Sequence, residues 1–173
     1  MFSKLKSWLP LAIAVTAICF LIYATLQQTI RLSANYPQIQ IAEDLRDNLN
    51  TGKQKMEEVS SSNIDLNKSL SNFAIIFNEE GHPISSSASL DGRIPTPPQG
   101  VFDYARSKGE DRFSWQPKGG VRIAAVVLKY GRGFVLAGRS LKEVEELENW
   151  ILKMVVITWL GTIFITFAAT FVF

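Results

Sequence analysis

The stretch RFSWQPKGGVRIAAVVLKYGRGFVLAGRS, residues 112–140, decides the fold of this 173-residue chain. Residues 121–130 are rich in β-branched side chains, which predicts a buried strand. Gly131-Arg132-Gly133 turns the chain back, so residues 134–139 are expected to form the antiparallel partner. Residues 112–115 add a third strand before a turn at 117–120. Short turns between strands predict an antiparallel sheet.

The sheet is expected to continue on the N-terminal side of this stretch. Residues 73–77 (FAIIF) form an apolar run that is too short for a helix and predicts a buried strand. A turn at 79–83 leads to a second strand at 84–87, which completes a hairpin. The prolines within residues 90–100 predict a loop there. Residues 101–107 are expected to form a short helix that ends at Gly109. The predicted fold class is α+β, with a mainly antiparallel sheet of about five strands.

Both ends of the chain are apolar. No charged residue lies between Ser7 and Ile30, or between Met154 and Phe173. Segments 8–26 and 154–173 each suffice to cross roughly 30 Å of hydrocarbon at about 1.5 Å per residue. We therefore predict two transmembrane helices flanking the α+β domain. This pattern excludes a soluble enzyme, a nucleic-acid-binding protein and a transporter with many helices.

Lys4 and Lys6 precede the first apolar segment and favour a cytoplasmic N-terminus, residues 1–7. We predict a two-pass protein of the plasma (inner) membrane, with an extracytoplasmic middle domain and both termini cytoplasmic. A cleaved signal peptide and a lipoprotein anchored at Cys19 are the alternatives. A retained anchor is preferred, because no small-x-small site follows the apolar run and Ile18 precedes the cysteine. The single cysteine also leaves the domain without a disulfide.

Two segments connect the domain to the predicted spans. Residues 27–63 are interpreted as a membrane-proximal helix, kinked or restarted at Pro37 and stopped near Gly52, followed from 53 to 63 by a polar linker or a mobile surface helix. On the other side, Ser140 and Glu143 have the spacing of a capping box. They predict one continuous helix from 141 to 173, in which 141–153 connects the domain to the span.

FAIIFNEEGHPISSS (73–87), a short helix and the stretch 112–140 together resemble a PAS-like or Cache-like extracytoplasmic sensor domain of bacterial membrane receptors, such as sensor histidine kinases. The resemblance implies a sensor-type fold over 64–140. No HAMP-like segment, phosphoacceptor histidine box or ATP-binding motif follows the second span, so we expect no output domain in this chain.

In PAS-like folds a short helix covers the sheet, and here that helix would carry Asp103, Tyr104 and Arg106. Arg122 opens the central strand, and Trp115 is placed to close the same pocket. An arginine beside aromatic rings suits a small anionic ligand, such as a carboxylate. The alternative is an arginine that extends over core aromatics to reach water. The candidate ligand-binding residues are Arg122, Tyr104, Trp115, Asp103 and Arg106.

Catalytic chemistry is not predicted. His82 is the only histidine, and it lies in a Gly-His-Pro turn without partners at metal-ligand spacing or a triad arrangement. The acidic pairs 79–80 and 110–111 also lie in predicted turns, so we interpret them as surface residues. We therefore expect no enzyme activity, no metal site and no cofactor.

Threonine recurs every four residues along the second apolar segment, which favours a helix–helix contact because small and hydroxylated residues allow close approach and hydrogen bonding. The partner of this contact is the first span, a second copy or another membrane protein. The contact residues are Thr158, Gly161, Thr162, Thr166 and Thr170.

These features predict a membrane-anchored sensory or regulatory protein that binds a small ligand or a protein partner. The alternative is a structural interaction module of a membrane complex. The expected partners are the lipid bilayer and either a second copy, as a homodimer, or another membrane signalling protein, with no nucleic acid.

Overall fold

The computed structural model describes residues 2–33, 36–53, 59 and 63–172. Most of the linker predicted at 53–63 lies outside the described residues, as does Phe173. The chain divides into two units, one made of Met1–Leu32 with Val144–Phe173 and the other of Ser33–Glu143. The second unit begins earlier than the predicted domain 64–140, because the helix before it packs on the sheet.

The described residues of the Ser33–Glu143 unit form two α-helices and seven strands. In chain order they are α2 (Tyr36–Asn50), β1 (Ile64–Asp65), β2 (Phe73–Phe77), β3 (Pro83–Ser86), β4 (Ala88–Ser89), α3 (Gln99–Lys108), β5 (Glu110–Lys118), β6 (Val121–Tyr130) and β7 (Gly133–Ser140). Five strands form an antiparallel sheet in the order β3-β2-β7-β6-β5. The predicted α+β class and its five-stranded antiparallel sheet are confirmed.

A helix covers each face of this sheet. On one face, Phe102 and Ala105 of α3 join a core cluster with Ile123, Ala125 and other side chains of β2, β6 and β7. On the opposite face, Ala42, Leu45 and Leu49 of α2 pack with Val126 and its neighbours. The central strands are buried on both faces, which explains why β2 and β6 are nearly continuous apolar runs.

Most strand and turn positions agree with the sequence, and the differences have local causes. β5 extends from Glu110 to Lys118, well beyond the predicted 112–115, because it pairs with nearly the whole of β6. The short parallel ladder of β1 with β4 was not predicted, since two-residue strands carry no periodic pattern. α2 ends as expected: Gly52 has a φ of 68°, and Lys53 N–H donates to Asn48 O at 3.0 Å.

Helices α1 (Phe2–Ser33) and α4 (Lys142–Val172) are both long and apolar enough to cross a membrane. Within their unit they run antiparallel and exchange tryptophan–threonine hydrogen bonds. Trp8 Nε1 donates to Thr166 Oγ1 at 3.2 Å, and Trp159 Nε1 donates to Thr16 Oγ1 at 2.9 Å. Near the other end, the Arg31 guanidinium bonds both carboxylate oxygens of Glu148, at 2.7 and 3.2 Å.

The start of α4 differs from the predicted capping box. Ser140 Oγ accepts a hydrogen bond from the Lys142 N–H at 3.2 Å, so the serine acts as expected. The Glu143 carboxylate instead pairs with Arg139, 3.2 Å away at i−4. α4 therefore begins at Lys142. The Ser140 hydroxyl caps its first turn, and the Arg139–Glu143 ion pair links that turn to the end of β7.

Candidate functional site

Two of the predicted ligand-binding residues, Arg122 and Trp115, lie on opposite faces of the sheet. Trp115 pairs with Ile123 and packs against the cluster under α3. Arg122 directly precedes Ile123 in β6, so its side chain points to the face of the sheet opposite Trp115. Helix α2 covers that face further along the strand. The prediction that Arg122 and Trp115 close one pocket is wrong, since a step of one residue reverses the face.

Arg106 is engaged by the fold rather than turned toward a ligand. Its Nη1 pairs with Asp103 Oδ1 at 2.7 Å, and its Nη2 donates to the Glu79 carbonyl oxygen at 2.8 Å. The guanidinium carbon also lies 5.5 Å from the centre of the Phe134 ring. Arg106 therefore fastens α3 to the β2–β3 turn. Tyr104, on the same helix, is 52% exposed.

Ala124 and Ala125 do not open a cavity above the sheet. They are 3% and 4% exposed, and Ala125 lies within the core cluster beneath α3. Ala125 instead allows neighbouring side chains, including those of α3, to pack closely against the sheet. The concave surfaces described below are open grooves at the margins of the unit.

The first groove, the α2–β2 groove, has a volume of about 350 Å³. Its apolar wall includes Ile41, Leu45 and Phe73, and its polar groups come from Asp44, Asn48, Asn72 and Ser87. Ser87 Oγ already accepts the Ala74 N–H at 2.9 Å. An apolar lining with a few polar groups is typical of small-molecule sites.

The second groove, the proline-loop groove, has a volume of about 490 Å³ and lies where the loop before α3 meets the end of β5. Trp115 lines it, which gives this predicted ligand residue an open surface. Arg93 contributes a positive charge, and the remaining lining is largely proline. This groove brings Trp115 together with residues that the sequence analysis had placed only in a loop.

The third groove is polar and was missed by the sequence analysis. Its volume is about 500 Å³, and its lining includes Asp65, Asn67 and Asp91. Asn67 Nδ2 donates to both carboxylates, at 3.1 and 3.2 Å. Lys118 Nζ bonds both oxygens of Asp91, at 2.9 and 2.8 Å. The polar side chains at 63, 65 and 67 alternate in the sequence, but this spacing alone does not predict a groove. The groove depends on Asp91, which the fold brings next to Asn67.

Hydrogen bonding lowers the pKa of both carboxyls in this groove. For Asp91 the main cause is the Lys118 ammonium, followed by Asn67. For Asp65 it is the backbone N–H of Asn67. Lys118 places its own positive charge against Asp91, at 2.8 Å from Oδ2. Within the described parts of the chain, no group of three His, Cys, Asp or Glu side chains is arranged to hold a metal ion.

The threonine stripe of α4 is used in two ways. Thr162, Thr166 and Thr170 each donate to the carbonyl oxygen four residues earlier, at 2.8 Å. Thr166 also accepts the bond from Trp8 of α1, so the first apolar helix is the partner there. Gly161 faces open space and Thr158 is exposed.

Comparison of the chain with protein-family models, with curated proteins and with solved structures found no match.

Proposed function

We propose that this protein is a two-pass membrane protein that presents a PAS-like domain outside the cell, as a sensory or regulatory subunit. The observation that carries the proposal is α4. It begins two residues after β7 ends and continues without a break to Val172. One residue, Leu141, therefore separates the sheet from an apolar helix.

The sheet supports the PAS-like part of the proposal. Counted in chain order, its five strands lie in the order 2-1-5-4-3, with α3 inserted between the second and the third. This order and this insertion are those expected of a PAS-like domain. α2 adds a helix before the first strand of this sheet and covers the face opposite α3.

The open grooves bear on what the domain binds. A small-molecule sensor requires a site that surrounds most of its ligand, whereas a protein partner binds an exposed surface. The α2–β2 groove is the better small-molecule candidate, because its apolar wall and polar groups converge. Binding there would involve α2 and β2 rather than the predicted Arg122.

The membrane arrangement is tested by labelling with a membrane-impermeant maleimide in intact cells. In a Cys19→Ser background, a single cysteine replaces Ser107 on α3 in one variant and Ser7 in the other. We expect labelling of the Ser107→Cys variant before lysis and of the Ser7→Cys variant only afterwards. The reverse pattern would place the domain in the cytoplasm and overturn the proposal.

The binding role is tested by thermal unfolding of the purified full-length protein against organic acids, amino acids and nucleotides. A ligand at 100 times its Kd stabilises by about 2.7 kcal/mol. A shift that is lost in Asn72→Ala and retained in Arg122→Ala would assign the α2–β2 groove. If no compound shifts the transition while a membrane protein co-purifies, the structural interaction module becomes the better description.

A further inference from the structure

β5 forms an edge of the five-stranded sheet, and among the described residues β6 is its only strand neighbour. It has nine residues, whereas the opposite edge strand β3 has four, one of them Pro83. Arg112, Ser114 and Gln116 are exposed along it. A long unpaired edge is a template for another strand.

The register identifies which backbone groups face outward. Lys129 N–H donates to Gly109 O at 3.0 Å, so odd-numbered residues of β5 exchange hydrogen bonds with β6. The N–H and C=O groups of Arg112, Ser114 and Gln116 therefore point away from the sheet. The ladder becomes irregular between Trp115 and Lys118, and Pro117 has no donor, so the free segment ends at Gln116.

We propose that this edge pairs antiparallel with β5 of a second copy of the chain, about a two-fold axis at Ser114. Each Ser114 then lies opposite the other, and Arg112 lies opposite Gln116 of the second copy. Phe113 lies opposite Trp115 of the second copy, and aromatic cross-strand pairs stabilise a sheet. The two sheets become one continuous ten-stranded sheet.

Charge disfavours two of the alternative registers. Centred on Ser114, Glu110 of one copy faces Lys118 of the other, whose ammonium already binds Asp91 at 2.8 Å, so no like charges of β5 oppose each other. Centring on Arg112 would oppose two arginines, and centring on Trp115 would set Arg112 against Lys118. Arg112 already pairs with Glu110 of its own strand at 3.0 Å, so its charge is balanced on entering the interface.

The inference rests on the proposed function only in that a regulatory subunit needs a partner. Pairing is measured by co-purifying two differently tagged full-length copies, an assay that does not depend on the sidedness of the domain. The two proposals can therefore fail separately.

The test places charges at the axis, where Ser114 is exposed in a single copy. We expect Ser114→Lys with itself, and Ser114→Glu with itself, to co-purify up to about fivefold less than the unmodified pair, because like charges would face each other. Ser114→Lys with Ser114→Glu should pair again, which excludes misfolding as the cause. Equal recovery in all combinations would overturn the proposal.

A cross-link supplies an independent measurement. Residues facing each other across a hydrogen-bonded antiparallel pair have Cα atoms about 5.5 Å apart, a distance that a disulfide spans. In a Cys19→Ser background, Ser114→Cys should form a disulfide-linked dimer, whereas Arg132→Cys in the β6–β7 turn should not. A folded Ser114→Cys protein that links only to a different protein would overturn the homodimer and identify another strand donor.

Discussion

Gly133 begins β7 with a φ of 148°, and a methyl group on its α-carbon would overlap the carbonyl oxygen of Phe77. Backbone on both sides is held in the sheet, so neither strand can move aside easily. We expect Gly133→Ala to destabilise the protein by about 3 kcal/mol or more.

The measurement is thermal or chemical unfolding of the full-length protein in detergent. Gly131→Ala, in the same turn, is the matched control. Its added carbon would meet only Asn50 Oδ1, at 3.7 Å, so a small effect is expected. Similar losses in the two variants would contradict the steric explanation.

Tyr130 ends β6 with its side chain 5% exposed, and its hydroxyl has no hydrogen-bond partner among the described residues. Burial raises the pKa of this phenol above its ordinary value of 10.0, against a smaller opposing effect of Arg132. The folded state thus favours the neutral phenol. Stability is intact below pH 10 and falls as the pH rises through the raised pKa, because the unfolded chain releases its proton first.

Tyr130→Phe should therefore retain stability at neutral pH, or gain about 1 kcal/mol, and lose less of it in alkali. Unfolding curves across this pH range compare it with Tyr36→Phe, a change at a residue that is 71% exposed. The same alkaline loss in both variants would show that the buried hydroxyl is not responsible.

At the scale of elements, the crossed tryptophan–threonine bonds predict a measurable coupling between α1 and α4. Trp8 also packs edge-to-face on Phe167, with ring centres 5.4 Å apart, so a single substitution would remove more than the hydrogen bond. A double-mutant cycle with Trp8→Phe and Thr166→Val isolates the pair. Unfolding in bilayers or mild detergent should give a coupling energy of about 0.6 to 1.7 kcal/mol.

The other hydrogen bond between α1 and α4, from Trp159 to Thr16, provides a comparison for this cycle. Trp159→Phe with Thr16→Val should give a similar coupling, since its donor–acceptor distance is 2.9 Å. The cross combination of Trp8→Phe with Thr16→Val joins residues that do not bond each other and should be additive. Additivity in both bonded pairs would mean that the helices associate by apolar packing alone.

At the scale of the whole molecule, the proposed signalling route requires α4 to be stiff between the sheet and its apolar part. Replacing Glu145-Glu146 by Gly-Gly should loosen it, because each glycine in a helix interior costs about 1 kcal/mol. Fluorescence anisotropy of a dye on the domain, in nanodiscs, should then show added local motion. Ala-Ala at the same positions removes the carboxylates and retains the helix, so an equal effect there would contradict the prediction.

Local patterns in the sequence predicted the elements of this protein with good accuracy. Residues 73–77 and 121–130 are strands with the expected bounds, and α3 closes at Gly109, whose φ is 90°. The stop near Gly52 also lies where predicted, and Pro37 is the second residue of α2. Each of these depends on backbone geometry or apolar periodicity within a few residues, and both are visible along the chain.

The candidate site could not be predicted in the same way. Arg122 and Trp115 were predicted to line one pocket of a PAS-like domain, yet strand pairing sets Trp115 beside Ile123 and places Arg122 on the other face. In the third groove, a hydrogen bond joins Asn67 and Asp91, which are 24 residues apart in the sequence. The sequence alone determined the strands of the five-stranded sheet, the helices and the apolar ends, because local chemistry specifies them. Only the tertiary structure decided which side chains meet, because strand register sets the face on which each side chain lies.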